Sequence, residues 1–199
     1  MRNKNTVKQL QNYILQSGAK LPKFGADGDL GSETKEAIEK LDIPKYVKIA
    51  LNEVGVYEIV GKLHSARILE YQATTAGKYT EDETPWCGAF ISWVMKQAGI
   101  NHGLKVPERA KEWSNFGYAV NEPTLGSIAV KSRVGGGHVC IVVGKRKDGK
   151  LLCVGGNQNN EVNIAAYDKS VFESFRNYDK RQIALTTIDI NTSTKVTEA

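Results

Sequence analysis

Residues 83–99 carry the stretch ETPWCGAFISWVMKQAG, which decides how the rest of the chain is interpreted. Its apolar residues recur at helical spacing, so the sequence predicts an amphipathic helix that is buried along one side. Thr84 is a favourable N-cap and Pro85 suits the first helical position, which puts Cys87 at about the third residue of the helix. There the thiol meets unsatisfied backbone amides and the positive end of the helix dipole, and both favour a thiolate.

Position alone does not make Cys87 a nucleophile, because most free cysteines are small buried core residues. The preceding acids Glu81, Asp82 and Glu83 disfavour another anion, so a cation must contribute to any activation. These acids could hold calcium, although three adjacent acids more often form a solvated lead-in to a helix. A partner histidine would favour the catalytic interpretation.

Of the three histidines, His138 has the most informative context: it follows a glycine run and opens the apolar segment VCIVVG. His64 and His102 lack such framing and are expected on the surface. The next apolar segment ends in GGNQNN, where Asn157 could fix the tautomer of His138, although alone this run would be a simple turn. Cys87, His138 and Asn157, in that order, form a papain-like constellation.

Composition supports a globular protein, with 41% hydrophobic and 25% charged residues. The net charge of +5 favours acidic partners such as nucleic acid, anionic lipid or cell-wall polymer, and nucleic acid is the weaker choice because no basic run contains interleaved aromatics. No signal peptide or membrane-spanning segment is expected. Three irregularly spaced cysteines without CxxC indicate neither disulfides nor zinc, so no metal or cofactor is expected, and Cys140 and Cys153 should be core residues.

The sequence predicts a small helical unit over residues 1–43. Thr6 and Gln9 have capping-box spacing at the start of a first helix, and Ser32 can cap a second. Pro44 marks the expected junction with the main domain.

Residues 44–185 are predicted to form an α+β domain in which the helices precede an antiparallel sheet. Residues 186–199 are expected to be a flexible tail. The predicted elements are helices near 45–54, 65–72, 85–98 and Trp113, strands at 127–130, 138–144 and 150–156, and a hairpin turn at Asp148-Gly149.

The segments PWCGAF, ERAKEW, GSIAV, GGGHV and VGGNQNN occur in the order shown by one branch of the CHAP superfamily, the cysteine, histidine-dependent amidohydrolases and peptidases that cleave peptidoglycan. The chain resembles this family over roughly residues 46–178. The resemblance implies a papain-like fold with Cys87 as nucleophile, His138 as base and acid, and Asn157 as the orienting residue. Ser127 departs from it, since many relatives have aspartate there. The expected substrate-binding residues are Trp86, Trp113, Gly137 and Gln158, although aromatics at such spacings are more often core.

The amino-terminal unit resembles a three-helix peptidoglycan-binding domain, on the strength of VKQLQNYI and DGDLG. An EF-hand is excluded, because Gly31, Ser32 and Ile38 stand where a calcium loop needs an acid or amide, a glycine and a glutamate. The alternative is a helical cap that binds nothing. The residues that the resemblance implies for peptidoglycan binding are Asp27, Gly28, Leu30, Gly31 and Thr34.

Together these resemblances imply a phage-endolysin-like peptidoglycan hydrolase that cuts an amide bond, either as a muramoyl-alanine amidase or as a stem-peptide endopeptidase. Such a protein is made in the host cytoplasm and reaches the wall after release across the inner membrane. Peptidoglycan is the expected partner of a monomer that neither binds nucleic acid nor inserts stably into a membrane. The alternatives are a toxin or effector with the same chemistry, a non-catalytic wall-binding or virion structural protein, and a transglutaminase or deamidase.

Overall fold

The computed structural model describes residues 2–61, 63–133, 135–192 and 196–197. Five α-helices precede the sheet: α1 Lys4–Gln16, α2 Ser32–Glu39, α3 Lys45–Asn52, α4 Ala66–Gln72 and α5 Cys87–Ala98. Short 3-10 helices span Ala110–Asn115 and Lys169–Val171. No helix in the described ranges is long and apolar enough to cross a membrane.

A six-stranded sheet forms the second layer, and every pair of neighbouring strands in it is antiparallel. Its spatial order is β1-β6-β2-β3-β4-β5. The α+β class predicted for the main domain is therefore what the structure shows. The strands are β1 Tyr118–Ala119, β2 Ile128–Arg133, β3 Gly136–Lys145, β4 Leu151–Gln158, β5 Glu161–Tyr167 and β6 Ser174–Asn177.

The two faces of the sheet cover different clusters. Val139 and Ile141 of β3 belong to the main core beneath the helices, whereas Cys140 belongs to a second cluster on the other face, with Tyr167 and Cys153. Cys140 and Cys153 are fully buried, as predicted, and burial raises the pKa of the Cys140 thiol. Because side chains alternate along a strand, His138 lies on the face of Cys140.

Residues 2–43 contain two α-helices, where the family resemblance implied three, and the next helix, α3, lies beyond Pro44. The predicted caps are also wrong. Asn3 caps α1, since its side-chain oxygen accepts the N–H groups of Asn5 and Thr6. The Thr6 hydroxyl makes no cap and instead donates to the carboxylate of Glu161. Ser32 is the first residue of α2, follows Gly31 at the N-cap, and makes no side-chain cap.

The amino-terminal unit shares its core with the rest of the protein. Val7, Leu10 and Ile14 of α1 are fully buried in the same cluster as the central helix and sheet. The Tyr13 hydroxyl donates to the Val143 carbonyl at 2.9 Å, and burial raises the pKa of Tyr13 to about 12. Residues 2–43 are therefore packed as part of one folded body.

The start of the expected flexible tail is ordered by the sheet. Ile188 is fully buried, its N–H donates to the Lys145 carbonyl at 2.8 Å, and Lys145 N–H donates to Thr186 at 3.1 Å. Residues 186–190 therefore pack against the sheet, where their alternating isoleucines cover the core edge, and the flexible tail stays a prediction. Residues 193–195 and 198–199 lie outside the described residues.

The shared core predicts that a cavity in α1 destabilises the α+β domain that follows residue 43. Leu10→Ala should lower the free energy of unfolding by about 3 kcal/mol, and Tm by roughly 10 °C. All three tryptophans lie beyond residue 43, so tryptophan fluorescence reports the main domain alone. The transition that it monitors should shift with Leu10→Ala. An unchanged fluorescence transition beside an altered circular dichroism melt would contradict a shared core.

Candidate active site

Cys87 is the first residue of α5, two positions earlier in the helix than predicted. Trp86, not Thr84, occupies the N-cap position, and its carbonyl accepts the N–H of Phe90 at 2.9 Å. The Trp86 indole is buried and donates to the Glu58 carboxylate at 2.7 Å, which fixes the residue before the thiol. The Cys87 thiol therefore sits at a rigid helix N-terminus, where backbone amides lack intrahelical acceptors.

The second residue of α5 holds the helix against the opposite wall of the site. A Cβ atom on Gly88 would lie 2.5 Å from the Pro107 carbonyl oxygen and closer still to that of Glu108. Only glycine allows this approach. The contact sets the distance between the thiol and the segment that begins the 3-10 helix at Ala110.

A cleft of about 310 Å³ opens beside the thiol. Cys87 Sγ lies 4.0 Å from the Gly137 carbonyl oxygen, and the Arg133 Nε donates to the same oxygen at 3.4 Å. A guanidinium therefore bonds the same carbonyl oxygen that the thiol contacts. Three basic side chains and one carboxylate give the cleft a positive balance. The lining consists of Pro85, Cys87, Glu108, Arg109, Ala110, Lys111, Arg133 and Gly135 to Gly137.

His138 is the third residue of β3 and is fully buried. Its Nε2 lies 3.2 Å from Oε1 of Gln158, and its ring lies beside that of Tyr167, with centroids 6.1 Å apart. The structure therefore brings Gln158, not Asn157, to the histidine, so the predicted contact of Asn157 with His138 is replaced.

A β-bulge explains the exchange of neighbours. Continuing the register from Ile141 opposite Val154 would set Asn157 opposite His138, but the pairing with β5 shifts between Gly155 and Gln158. Asn157 adopts the left-handed conformation, with φ 56°. The extra residue turns the Gln158 side chain onto the face of Gly155, where a Cβ would meet its Oε1 at 2.8 Å.

Hydrogen bonds assign the orientation of the Gln158 amide. Its Nε2 lies 2.9 Å from both the carbonyl oxygen and the side-chain Oδ1 of Asn163, and a carbonyl can only accept. Its Oε1 consequently faces the ring and also accepts the Tyr167 hydroxyl at 3.0 Å. The neutral imidazole of His138 must then carry its proton on Nε2, which leaves Nδ1 as a bare acceptor.

The buried Nδ1 of His138 accepts no hydrogen bond of normal geometry from a described residue, and the Cys140 thiol on the same face of the strand interacts with the ring. The thiol–imidazole hydrogen bond expected from the sequence is therefore not formed in this structure. Helix α5 packs on the face of β3 opposite the imidazole, and its thiol reaches the strand at Gly137, one residue before His138. The thiol and the imidazole are thus both held at the amino-terminal end of β3, on opposite faces of the strand.

The other predicted substrate-binding residues divide between cleft and core. Gly137 lines the cleft, whereas Trp86 and Trp113 are fully buried, and the Trp113 indole donates to the Pro107 carbonyl. These tryptophans are core, which corrects the prediction that they bind substrate. Gln158 is also fully buried. The sequence analysis missed Glu108, Arg109, Lys111, Arg133 and Tyr167, of which the first three lie in or beside the ERAKEW segment that it had singled out.

The acidic run before α5 is not a solvated lead-in throughout. Asp82 is fully buried and accepts the N–H groups of Ile59 at 2.9 Å and Ser65 at 2.7 Å, with His64 Nδ1 at 3.1 Å. Burial pushes the pKa of Asp82 up, but these donors outweigh it and hold the pKa below its ordinary value. Among the described residues no group of three or more His, Cys, Asp or Glu side chains is placed to hold a metal.

The amino-terminal motif forms a second, smaller cavity of about 280 Å³, and Asp27, Gly31 and Thr34 line it. Asp27 accepts from Asp29 N–H at 2.9 Å and Gln11 at 2.8 Å, which lower its pKa. Gly28 has φ 85° and Leu30 is buried, so these two residues shape the loop from within. The structure brings the five predicted residues together in one loop and the first turn of α2, and three of them reach the cavity.

The tight contact at Gly88 generates a testable prediction. Gly88→Ala should force the 107–108 segment away from α5 and lower the free energy of unfolding by about 1–3 kcal/mol, as overpacking does. Gly136→Ala is the matched control, because a Cβ there meets no atom within 4 Å and this glycine also lines the cleft. Thermal melts of both variants measure the difference, and equal stability would contradict the contact.

Residues 79–157 match the family model described as the CHAP domain. The matched segment contains Cys87 and His138 and ends one residue before Gln158. CHAP domains are typically cysteine- and histidine-dependent amidohydrolases or peptidases, so the match supports a CHAP-family hydrolase domain in this part of the chain. Searches of curated proteins and of solved structures gave no match.

Proposed function

We propose that the protein is a peptidoglycan hydrolase in which Cys87 attacks an amide carbonyl and His138 transfers the proton. One observation carries the proposal: the imidazole is held as its Nε2–H tautomer by Gln158, with Nδ1 bare, on the strand that a helix-N-terminal thiol already touches. A thiol and a neutral imidazole with a free nitrogen are the reactants of cysteine acyl transfer.

The chemistry follows from these groups. His138 Nδ1 takes the thiol proton as Cys87 Sγ adds to the carbonyl carbon, and the resulting imidazolium returns that proton to the leaving amine. Water then attacks the thioester, with the same nitrogen as base, and releases the acid. In this structure the imidazole is buried on the face of β3 opposite α5, so the proposed transfer requires the end of β3 to move and bring Nδ1 to the Cys87 thiol.

The amide of Cys87 is the proposed oxyanion donor. As the first residue of α5, its N–H points out of the helix and has no intrahelical acceptor. Removing one such donor typically raises the barrier by about 3 kcal/mol. The donor and the nucleophile thus belong to the same residue, as helix-borne nucleophiles allow.

The charge of the cleft supports an anionic substrate. Arg109, Lys111 and Arg133 outnumber Glu108 around the thiol, and peptidoglycan stems carry carboxylates close to their amide bonds. Both muramoyl-alanine amidase and stem-peptide endopeptidase activity would present such an acyl group. We propose one of these two reactions.

Wall binding by the amino-terminal cavity is a further part of the proposal. Phe24 lines it with 68% of its surface exposed, beside the polar Asp27, Ser32 and Thr34. An exposed ring beside carboxylate and hydroxyl groups suits a sugar face. With a net charge of +5 and a catalytic cleft, this arrangement favours an endolysin-like protein that acts on the wall after leaving the host cytoplasm. A toxin or effector would use the same site.

Replacing the nucleophile tests the proposed reaction. Cys87→Ala should reduce release of soluble muropeptides from purified sacculi by roughly 10⁴-fold or more. Cys153→Ala should retain activity, since its thiol is buried in the second cluster. Mass spectrometry of the digest identifies the bond, because an amidase frees the muramoyl carboxyl group whereas an endopeptidase shortens the stem. Undiminished cleavage by Cys87→Ala would remove the proposal.

The exchange of Asn157 for Gln158 is tested by paired substitutions. Gln158→Ala removes the acceptor of His138 Nε2 and should lower kcat by about a hundredfold. Asn157→Gly keeps the left-handed bulge, which glycine adopts freely, and should retain most of the activity. The opposite ranking, with Asn157→Gly the more damaging, would return the orienting role to Asn157.

A substitution of Phe24 should weaken wall binding without affecting the proposed catalytic cleft. Phe24→Ala should weaken co-sedimentation with sacculi about fivefold, the loss of about 1 kcal/mol expected for one aromatic contact. Because the ring is mostly exposed, Tm should be unchanged. Val171→Ala, which trims another exposed apolar side chain, is the control. Equal sedimentation of both variants and the parent would argue for a cap that binds nothing.

A further inference from the structure

A chain of hydrogen bonds, buried at its inner end, runs from the first turn of α1 to the imidazole of His138. Thr6 Oγ1 donates to Glu161 Oε1 at 2.9 Å, and Asn3 Nδ2 donates to Glu161 Oε2 at 3.1 Å. Asn163 Nδ2 donates to Glu161 Oε1 at 3.2 Å. The Asn163 Oδ1 then accepts from Gln158 Nε2, which is the amide that faces the ring.

The polarity of each link follows from the one before it. A carboxylate of Glu161 accepts only, so Asn163 must present Nδ2 to it, and the same nitrogen donates to the Gln158 carbonyl at 2.7 Å. Its Oδ1 is therefore left for the Gln158 side chain. The orientation of the Asn163 amide therefore fixes that of the Gln158 amide. The Gln158 amide in turn determines which nitrogen of His138 carries the proton.

Solvent has little access to the part of this chain of bonds that is nearest the imidazole, whereas Asn3 is exposed and Glu161 is partly exposed. Thr6 and Asn163 are each 5% exposed, and Gln158 and His138 are fully buried. Burial raises the pKa of Glu161, while the bonds from Thr6, Asn163 and Asn3 lower it. A partner that is removed from such a site is not readily replaced by water, so the remaining groups must reorient.

The turn between β4 and β5 places Glu161 beside the Gln158 amide. Asn159 and Asn160 both have positive φ, and the turn that they form sets Gln158 opposite Glu161. The Asn160 carbonyl also accepts the Glu58 N–H at 2.9 Å. Glu161 is therefore placed where α1, the turn and the active-site amide meet.

We propose that Asn163 and Glu161 are positioning residues for the catalytic imidazole, and that the first turn of α1 completes their support through Thr6 and Asn3. This inference rests on the proposed function of His138 as the base. It gives the amino-terminal unit a part in catalysis that is separate from any binding to the wall.

A second hydrogen bond to Gln158 limits how much the loss of the Asn163 side chain can change the tautomer of His138. Gln158 Nε2 also donates to the Asn163 backbone carbonyl, which a side-chain substitution leaves in place. Loss of the Asn163 side chain should therefore let the Gln158 amide rotate part of the time. Each rotation offers the ring a donor and favours the Nδ1–H tautomer, in which the base nitrogen is blocked.

Nitrogen-15 NMR of the histidine side chains in the full-length protein tests the inference. Asn163→Ala should raise the Nδ1–H fraction of neutral His138 about fivefold, the factor that one hydrogen bond of ordinary net strength gives. Thr6→Val should move the fraction in the same direction by less. Gln16→Ala should leave it unchanged, because Gln16 joins the other end of α1 to Asp189.

Unaltered His138 spectra in folded Asn163→Ala and Thr6→Val would overturn the inference, as would an equal change in Gln16→Ala. If Asn163→Ala does not fold, Thr6→Val alone tests the inference. Valine keeps the shape of the threonine side chain, and residue 6 lies at the outer end of the chain of bonds. The readout is independent of lysis. Cleavage by Cys87→Ala would refute the proposed function while leaving the tautomer result to stand.

Discussion

In the proposed mechanism, the hydrogen bond between Gln158 Oε1 and His138 Nε2 is the constraint on which the active site depends. It stabilises the imidazole in the tautomer that leaves Nδ1 able to accept a proton. The bond exists because a bulge at Asn157 brings Gln158 onto the same face of the sheet. A backbone irregularity of one residue thus determines which side chain orients the base.

The thiol is positioned by the other layer of the protein. Helix α5 is anchored by the buried Trp86 before it and by the close approach of Gly88 to the 107–108 backbone. Both anchors act before the first turn is complete, so they fix the end of the helix that carries the thiol. The site is consequently assembled where the helical layer meets the end of β3, and neither layer contains it alone.

Local patterns in the sequence were sufficient to place Cys87 at a helix start and His138 at a strand start, since each depends on residues within a few positions. The place of Asn157 at the end of the next apolar segment favoured it as the neighbour of His138, and the bulge puts Gln158 there instead. Trp86 and Trp113 were assigned to the groove because a sequence does not show which face of a helix start is covered. Both indole side chains are fully buried in the structure, so they belong to the core.

The docking of the amino-terminal unit was beyond the reach of local patterns. Thr6 and Glu161 are 155 residues apart, and the threonine had a plausible local use as a helix cap. The ordered segment around Ile188 is a similar case, since its apolar residues are few and its partner strand is distant. Contacts of long sequence separation depend on the complete fold, whereas capping and turn signals do not.

The central claim is tested most directly by the pH dependence of Cys87 alkylation. The alkylation rate is measured in the parent protein and in His138→Ala. The account predicts rapid modification near neutrality in the parent and a shift towards the pH of an ordinary thiol, about 8.5, in His138→Ala. Cys140 and Cys153 should stay unmodified in both, because they are fully buried. Superimposable profiles for the two proteins would contradict a thiol activated by this imidazole.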